Sequence, residues 1–307
     1  MRLCFVGYGS IAQAHARAFR QIPEVELCWL VGRDPQSTRQ FAGEWGFPHW
    51  TLDLDEALAG DVDGVVITSP SDLHAAQAEA ALQAGKHVLV EIPLATNLAD
   101  AERVADLARE TGLRVQVAHT QRYSPALLEL RRRIADGELR PHHLHFRWFF
   151  LRRENVNWAG RRRSWTDNLL WHHGCHVTDA ALWLLGPEPV SPVRAQFGPP
   201  HPELRIPLDL DLQLTVGETL VSIAMSYNSA WPRHEYFVVG EEGCLEFRDG
   251  QLRNEGGAIP LGGSDGESIL NQDREWIEAI REDREPAVSP DAVLPAMRVL
   301  QAAQDQM

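Results

Sequence analysis

Three histidines and an aspartate crowd the stretch NLLWHHGCHVTDAALWLLG, Asn168 to Gly186. On a helix, His172 and His176 share a face because residues four apart are neighbours, and Asp179 follows His176 by about one turn. An imidazole that titrates near neutrality and is oriented by a carboxylate is a competent general base. His176, His172, His173 and Asp179 are therefore the candidate catalytic residues, although His173 alone fits a hydrogen-bonded core position equally well. A metal would need more, since no glutamate lies between the two histidines and no third ligand is marked, so none is expected.

The first residues supply a partner for that base. Gly7-Tyr8-Gly9-Ser10-Ile11-Ala12 follows an apolar strand and opens a helix. The first glycine permits a tight turn, the second lets backbone approach a pyrophosphate, and the small Ala12 allows close helix-strand packing. In this strand-turn-helix setting the GxGxxA string points to a dinucleotide, with Gly7, Tyr8, Gly9, Ser10 and Ile11 around it. An acidic residue about 20 positions further on would accept a ribose 2'-hydroxyl. The second strand instead ends Leu30-Val31-Gly32-Arg33, so Gly32 stands where the acid is expected and Arg33 can lie on a 2'-phosphate. NADP is favoured, with NAD the alternative, and Asp34 is read as a turn residue.

The chain around these residues is long enough for two domains at 307 residues, with an ordinary 44% apolar content. A net charge of −14 argues against nucleic acid as a partner. The charge is uneven, because ten arginines between Arg131 and Arg163 face only Asp136, Glu138 and Glu154, a segment able to attract an anion. No apolar run reaches the roughly 18 residues that span a bilayer, and MRLCFVGYG is a strand and turn rather than a leader, so a cytoplasmic protein without membrane contact is expected. Cys4, Cys28, Cys175 and Cys244 show no metal-ligand spacing and read as reduced, mostly buried small hydrophobes.

Up to about residue 120, short apolar strands (Arg2 to Val6, Val25 to Val31, Gly64 to Thr68, His87 to Val90, Arg114 to Val117) alternate with helices. The helices run Ile11 to Arg20, Pro35 to Trp45, Asp72 to Ala84 and Leu98 to Glu110, with Asp72 and Asn97 suited to N-terminal caps. Alternation of this kind means parallel strands with helices on both faces. Beyond Tyr123 come a helix from Pro125, a strand near His142 to Leu151, a long helix near Trp165 to Leu185, and then closely spaced strands. Leu208 to Val216 alternates with period two, as expected of a mainly antiparallel sheet with one polar face. Two helices close the chain, Ile269 to Arg281 and Asp291 to Gln304. The expected fold is α/β, a Rossmann parallel sheet in residues 1–120 plus an α+β domain with an open, mainly antiparallel sheet in 121–307. The last helix, about 290–305, is free in this reading to pack back on the first domain.

Several blocks together make the chain resemble the Gfo/Idh/MocA oxidoreductase family nearly end to end. They are GYGSIAQAHARAF, ITSPSDLH (Ile67 to His74), AGKHVLVEIP (Ala84 to Pro93), HTQRYSP (His119 to Pro125) and the histidine helix. The resemblance implies cofactor contacts from Ser69, Pro70, His74, Glu91, Ile92 and Gln121, and homodimers or homotetramers assembled through the second domain's sheet. One departure stands out. The family usually has Glu-Lys-Pro, its lysine assisting proton transfer, where this chain has Glu91-Ile92-Pro93, and Lys86 is the only lysine in the sequence. The family also commonly has an aspartate where this chain has His172.

Three readings follow from the missing lysine: a cofactor-binding sensor without chemistry, a glycoside-cleaving relative, or a dehydrogenase whose substrate needs no lysine. VEIPLA, FFLRRENVN, RSWTDNLLWHH and GPPHPEL resemble a branch of the family that oxidises carboxylated muconate semialdehydes, as cyclic hemiacetals, to pyrone lactones. In that branch Glu-Ile-Pro is usual, so this resemblance favours the third reading over a sugar or polyol dehydrogenase or a sensor. A small anionic substrate with two carboxylates implies arginine, with Arg122 first, then Arg152, Arg153 and Arg163, and Trp165 as a wall.

Overall fold

The structure is a computed structural model and describes residues 1–154, 156 and 169–307. In chain order the first elements are β1 (Arg2–Val6), α1 (Ser10–Phe19), β2 (Glu26–Val31), α2 (Pro35–Trp45), β3 (His49–Thr51), α3 (Leu54–Leu58) and β4 (Gly64–Ile67). Next come α4 (His74–Gln83), β5 (His87–Val90), α5 (Leu98–Thr111), β6 (Val115–Val117), α6 (Pro125–Ala135), β7 (Pro141–Leu151) and α7 (Leu169–Leu185). The remainder are β8 (Arg194–Phe197), β9 (Asp209–Val216), β10 (Thr219–Ser226), β11 (Asn228–Gly240), β12 (Gly243–Arg248), β13 (Gln251–Asn254), β14 (Gly257–Ala258), α8 (Ser268–Arg281) and α9 (Pro290–Gln304).

The chain divides into two units, residues 1–119 with 269–294, and residues 120–268 with 295–307. In the first, a parallel sheet has the order β3-β2-β1-β4-β5-β6. Its central strands are apolar runs buried along almost their whole length, as strands covered on both faces must be. Leu3, Phe5 and Leu30 of the sheet pack with Phe19 of α1 and with Trp276 and Ile277 of α8. A helix more than 150 residues beyond β6 thus completes this core. In the second unit, an eight-stranded sheet has the order β14-β13-β12-β11-β7-β10-β9-β8, antiparallel except where β7 meets β10. Helix α7 lies against β7, β9 and β10, and α6 against α7.

Three local readings change. β3 and α3 were not expected, because a three-residue strand and a single-turn helix carry no measurable period. Asp72 does not cap a helix: it sits inside a 3₁₀ turn, Ser71–Leu73, that precedes α4. Asp34 is the N-cap of α2, its carboxylate accepting from the Ser37 amide at 2.8 Å. Asn97 caps α5 as its type suggests, accepting from the Asp100 amide at 2.9 Å. Replacing Asn97 with alanine should lower stability by about 1 kcal/mol, read as a shift in the urea midpoint at unchanged slope.

Candidate active site

In the first unit the loops after β1, β4 and β5 are tied side by side. Gly7 donates to Val31 O, Thr68 to Val6 O and Glu91 to Ile67 O, at 2.8–2.9 Å. β1 and β4 are the strands at which the sheet order reverses, which is where open α/β sheets bind nucleotides. Gly7 has φ +110°, and a Cβ there would lie 2.7 Å from the Thr68 carbonyl oxygen. Gly9 is the N-cap of α1, with no side-chain cap bond and no acid in the first turn, and a Cβ on it would meet nothing within 4 Å. The helix N-terminus thus carries no side-chain cap and no acid of its own beside the open space over Gly9, and its dipole favours an anion there, an arrangement that fits a pyrophosphate. Gly7→Ala should weaken dinucleotide binding at least tenfold in a fluorescence titration, because both the backbone angle and the Thr68 contact forbid a side chain.

A Cβ on Gly32 would overlap the Thr38 hydroxyl at 1.9 Å, and that hydroxyl donates to Asp34 O at 2.6 Å. The packing of α2 by itself requires glycine at position 32. The bond from Ser37 holds the Asp34 carboxyl below its ordinary range, so this acid is engaged in capping. Arg33 between them is exposed.

His74, expected as a cofactor contact, is a buried strut. Its Nδ1 lies 2.8 Å from Pro93 O and its Nε2 2.9 Å from Ser69 O, joining the loops after β4 and β5. The Ser69 hydroxyl donates to Gln77. Ile92 is 4% exposed, and its peptide bond to Pro93 is cis. Glu91 reaches the buried ring of His15, which the sequence did not single out. Lys86 donates to Val62 O at 2.9 Å, a structural bond at the start of β5.

In the second unit, α7 presents its histidines to an aromatic face of the sheet. Alternation along β7 puts Phe146, Trp148 and Phe150 on one side. The Trp148 indole stacks on His176, centroids 5.4 Å apart with 21° between planes, and meets His173 edge-on at 4.9 Å. His234 of β11 lies 4.2 Å from the same indole. His172 is 6.5 Å from His176, the two rings at 75°. His173 Nδ1 is 2.6 Å from the Tyr227 hydroxyl, and Tyr227 is fully buried. Of the three, His173 has the structural setting. Gln121 joins the Tyr236 hydroxyl and lies 3.4 Å from His234 Nε2. The sequence singled out none of Trp148, Tyr227, His234 and Tyr236; the period-two pattern of β7 was a signal for Trp148, and alternation along β11 for His234 and Tyr236.

Arg122 and Asp179 come together, but as a pair. Arg122 Nε and Nη2 donate to the two carboxylate oxygens at 2.8 and 2.5 Å, with side-chain exposures of 10% and 3%. The guanidinium face expected to clasp a substrate carboxylate is spent on Asp179, and the carboxylate expected to orient a histidine is clasped by arginine. Arg152 is buried with its guanidinium 5.2 Å over the Tyr227 ring, and Arg153 Nη1 donates to Tyr227 O and Arg152 O. Arg163 and Trp165 lie outside the described residues. Much of the arginine-rich segment is matched by acids: Arg132 bonds Glu129, Asp136 and Glu138, Arg140 bonds Glu242, and Arg147 bonds Glu235. Among the described residues no cluster of three or more His, Cys, Asp or Glu could hold a metal, and no helix is long and apolar enough to cross a membrane.

Comparison with known proteins fits this geometry. Residues 1–119 match the model of the oxidoreductase family with an NAD-binding Rossmann fold, and residues 125–256 match the C-terminal domain of bacterial oxidoreductases. The chain is 38% identical over 308 residues to 4-carboxy-2-hydroxymuconate-6-semialdehyde dehydrogenase of Sphingobium sp., covering 98% of this chain and 96% of that one. It is 32% identical to inositol 2-dehydrogenase of Rhizobium meliloti over 45% of this chain and 42% of that one. Among solved structures, GenD2 from gentamicin A biosynthesis in complex with NAD superposes with a TM-score of 0.85 at 22% identity, covering 100% and 95%. The WlbA dehydrogenase of Bordetella pertussis, with NADH and UDP-GlcNAcA, gives 0.85 at 23%, covering 100% and 97%. At those identities the likeness is one of fold.

Proposed function

The chain belongs to the Gfo/Idh/MocA oxidoreductase family, and on that premise we propose that it is an NADP-dependent dehydrogenase oxidising the cyclic hemiacetal of a carboxylated muconate semialdehyde to a pyrone lactone. The observation that carries the substrate is the near end-to-end relation to the Sphingobium dehydrogenase, which spans both units and the histidine helix.

The cofactor would be held by Gly7, Gly9 and the first turn of α1 at its pyrophosphate, by Arg33 at a 2'-phosphate and by the turn Glu91-Ile92-Pro93 at its nicotinamide, and when bound it accepts a hydride. His176 takes the proton of the hemiacetal hydroxyl, with His172 on the same helix face as the alternative acceptor. That hydroxyl is more acidic than a sugar alcohol and its oxidation yields a stabilised lactone, so imidazole suffices where the family ordinarily adds a lysine. Ile92 in the lysine's place keeps the turn apolar, which favours exclusion of water from the reacting groups. Trp148 fixes the plane of the His176 ring by stacking. Asp179 acts through Arg122, a pair that anchors α7 to the segment after β6. Arg152 and Arg153 take over as the candidates for the substrate carboxylates. Assembly as a homodimer or homotetramer through the open face of the second unit's sheet belongs to the same reading, and light scattering reads it directly.

The test is an NADP+ reduction assay on freshly generated 4-carboxy-2-hydroxymuconate 6-semialdehyde, followed at 340 nm with the product identified. Turnover with release of the lactone, and little with sugars and polyols, is expected. Turnover of a sugar in place of the semialdehyde would replace the substrate, and tight NADPH binding with no turnover of either would make the protein a sensor. Arg33→Asp should shift the affinity ratio at least tenfold toward NADH, measured by paired NADPH and NADH titrations.

A further inference from the structure

The mechanism leaves one buried cluster of ionisable groups unused. His15 of α1 has no exposed surface, its Nδ1 2.8 Å from Oδ2 of Asp273 and its Nε2 2.9 Å from Oε1 of Glu91. Asp273, on α8, is fully buried as well, and its Oδ1 also accepts from Gln272 Nε2 at 3.2 Å. The Gln272 carbonyl in turn accepts from Gln116 at 2.7 Å. The second oxygen of Glu91, Oε2, accepts the backbone amide of Ile92 at 3.1 Å. A continuous chain of bonds thus runs from α8 through α1 into the turn after β5. Trp276, three residues past Asp273 and so on the same face of α8, packs edge-on against Phe19 of α1 and fixes the helix that carries the aspartate.

Burying ions is costly, and an apolar trio of similar volume would stabilise a core at least as well. The end point of the chain supplies a reason beyond stability. A Rossmann sheet binds a dinucleotide across two mononucleotide halves, here β1 to β3 for the adenosine and β4 to β6 for the nicotinamide. Glu91 follows β5 directly, in the nicotinamide half. We propose that Asp273 and His15 are positioning residues for nicotinamide binding: Asp273 orients His15, His15 clasps Glu91, and Glu91 thereby fixes the Ile92 amide and the turn on which the nicotinamide rests. Burial opposes charge on the His15 ring, but Asp273 and then Glu91 outweigh it and push the imidazole up to about 10, so both ring nitrogens donate at neutral pH. The proposal rests on the family's cofactor and not on the identity of the substrate.

The experiment titrates the protein with NADPH and NADH, and in parallel with 2',5'-ADP and 5'-ADP, which lack the nicotinamide half. Asp273→Asn and Glu91→Gln should each weaken the dinucleotides at least tenfold while leaving the adenosine fragments within twofold. The double variant should be no weaker than the worse single one, because both act through His15. Equal losses for dinucleotide and fragment would reduce the cluster to a structural role and overturn the proposal, as would unchanged dinucleotide affinity in Glu91→Gln or additive losses in the double variant. If Asp273→Asn does not fold, Glu91→Gln decides alone, since its carboxylate is partly exposed and its loss leaves the helix packing intact. No substrate enters the measurement, so its failure leaves the hemiacetal reading standing, and failure of that reading leaves this one.

Discussion

Replacing His176 with alanine should lower turnover at least tenfold while NADPH affinity stays within about twofold, and His172→Ala should do the same. General-base catalysis contributes about 10²–10⁴ in rate, and two imidazoles on one helix face can partly stand in for each other, which sets the lower bound. The two side chains belong to the second unit, whereas the glycine turn and the turn Glu91-Ile92-Pro93 proposed to hold the cofactor belong to the first, so loss of the base should leave cofactor affinity alone. Steady-state and single-turnover rates on the same preparations separate chemistry from product release. His173→Ala, which removes the partner of the Tyr227 hydroxyl, should show mainly in the melting temperature. Unchanged turnover in both His176→Ala and His172→Ala would remove histidine from the mechanism.

The second large effect concerns stability. His15→Ala leaves the buried carboxyl of Asp273 and the partly exposed carboxylate of Glu91 without their cation, and breaking a buried ion cluster in this way costs about 3–5 kcal/mol. Burial pushes the Asp273 carboxyl up, while the charge of His15 at 2.8 Å and the Gln272 amide pull it back. The pH dependence has a definite sign. The folded-state value of His15, about 10, lies above the ordinary 6.5, so its contribution is full below about pH 6.5 and is lost as pH rises through about 10. Urea unfolding of the wild type and His15→Ala at pH 6, 8 and 10 should show the gap between them narrowing across that range. A gap that widened with pH would mean a neutral ring.

Several features were legible because the physics behind them is local. Buried parallel strands announce themselves as continuous apolar runs, the GxGxxA turn needs its glycines within six residues, and the histidines of α7 are neighbours by helical spacing alone. What escaped depends on contacts far apart in the chain. His15 and Asp273 are separated by 258 positions and Arg122 and Asp179 by 57, and no periodicity links such pairs. Gly32 stands where a ribose-binding acid is expected, and its close contact with Thr38, six residues on, is set by helix packing that no sequence pattern shows. The arginine-rich segment reads as an anion trap in sequence because several of the acids that pair with it, Glu129, Glu235 and Glu242, lie outside residues 131–163.

If imidazole alone removes the hydroxyl proton in this chain, which lacks the lysine usual in its family, the pH dependence of kcat/KM for semialdehyde oxidation must show it when the wild type is compared with a His172→Ala, His176→Ala double variant. The wild-type rate should rise with pH through one ionisation in the imidazole range, and the double variant should be at least a hundredfold slower with that limb gone. The same limb persisting in the double variant, with the rate within a few fold of wild type, would contradict proton removal by imidazole.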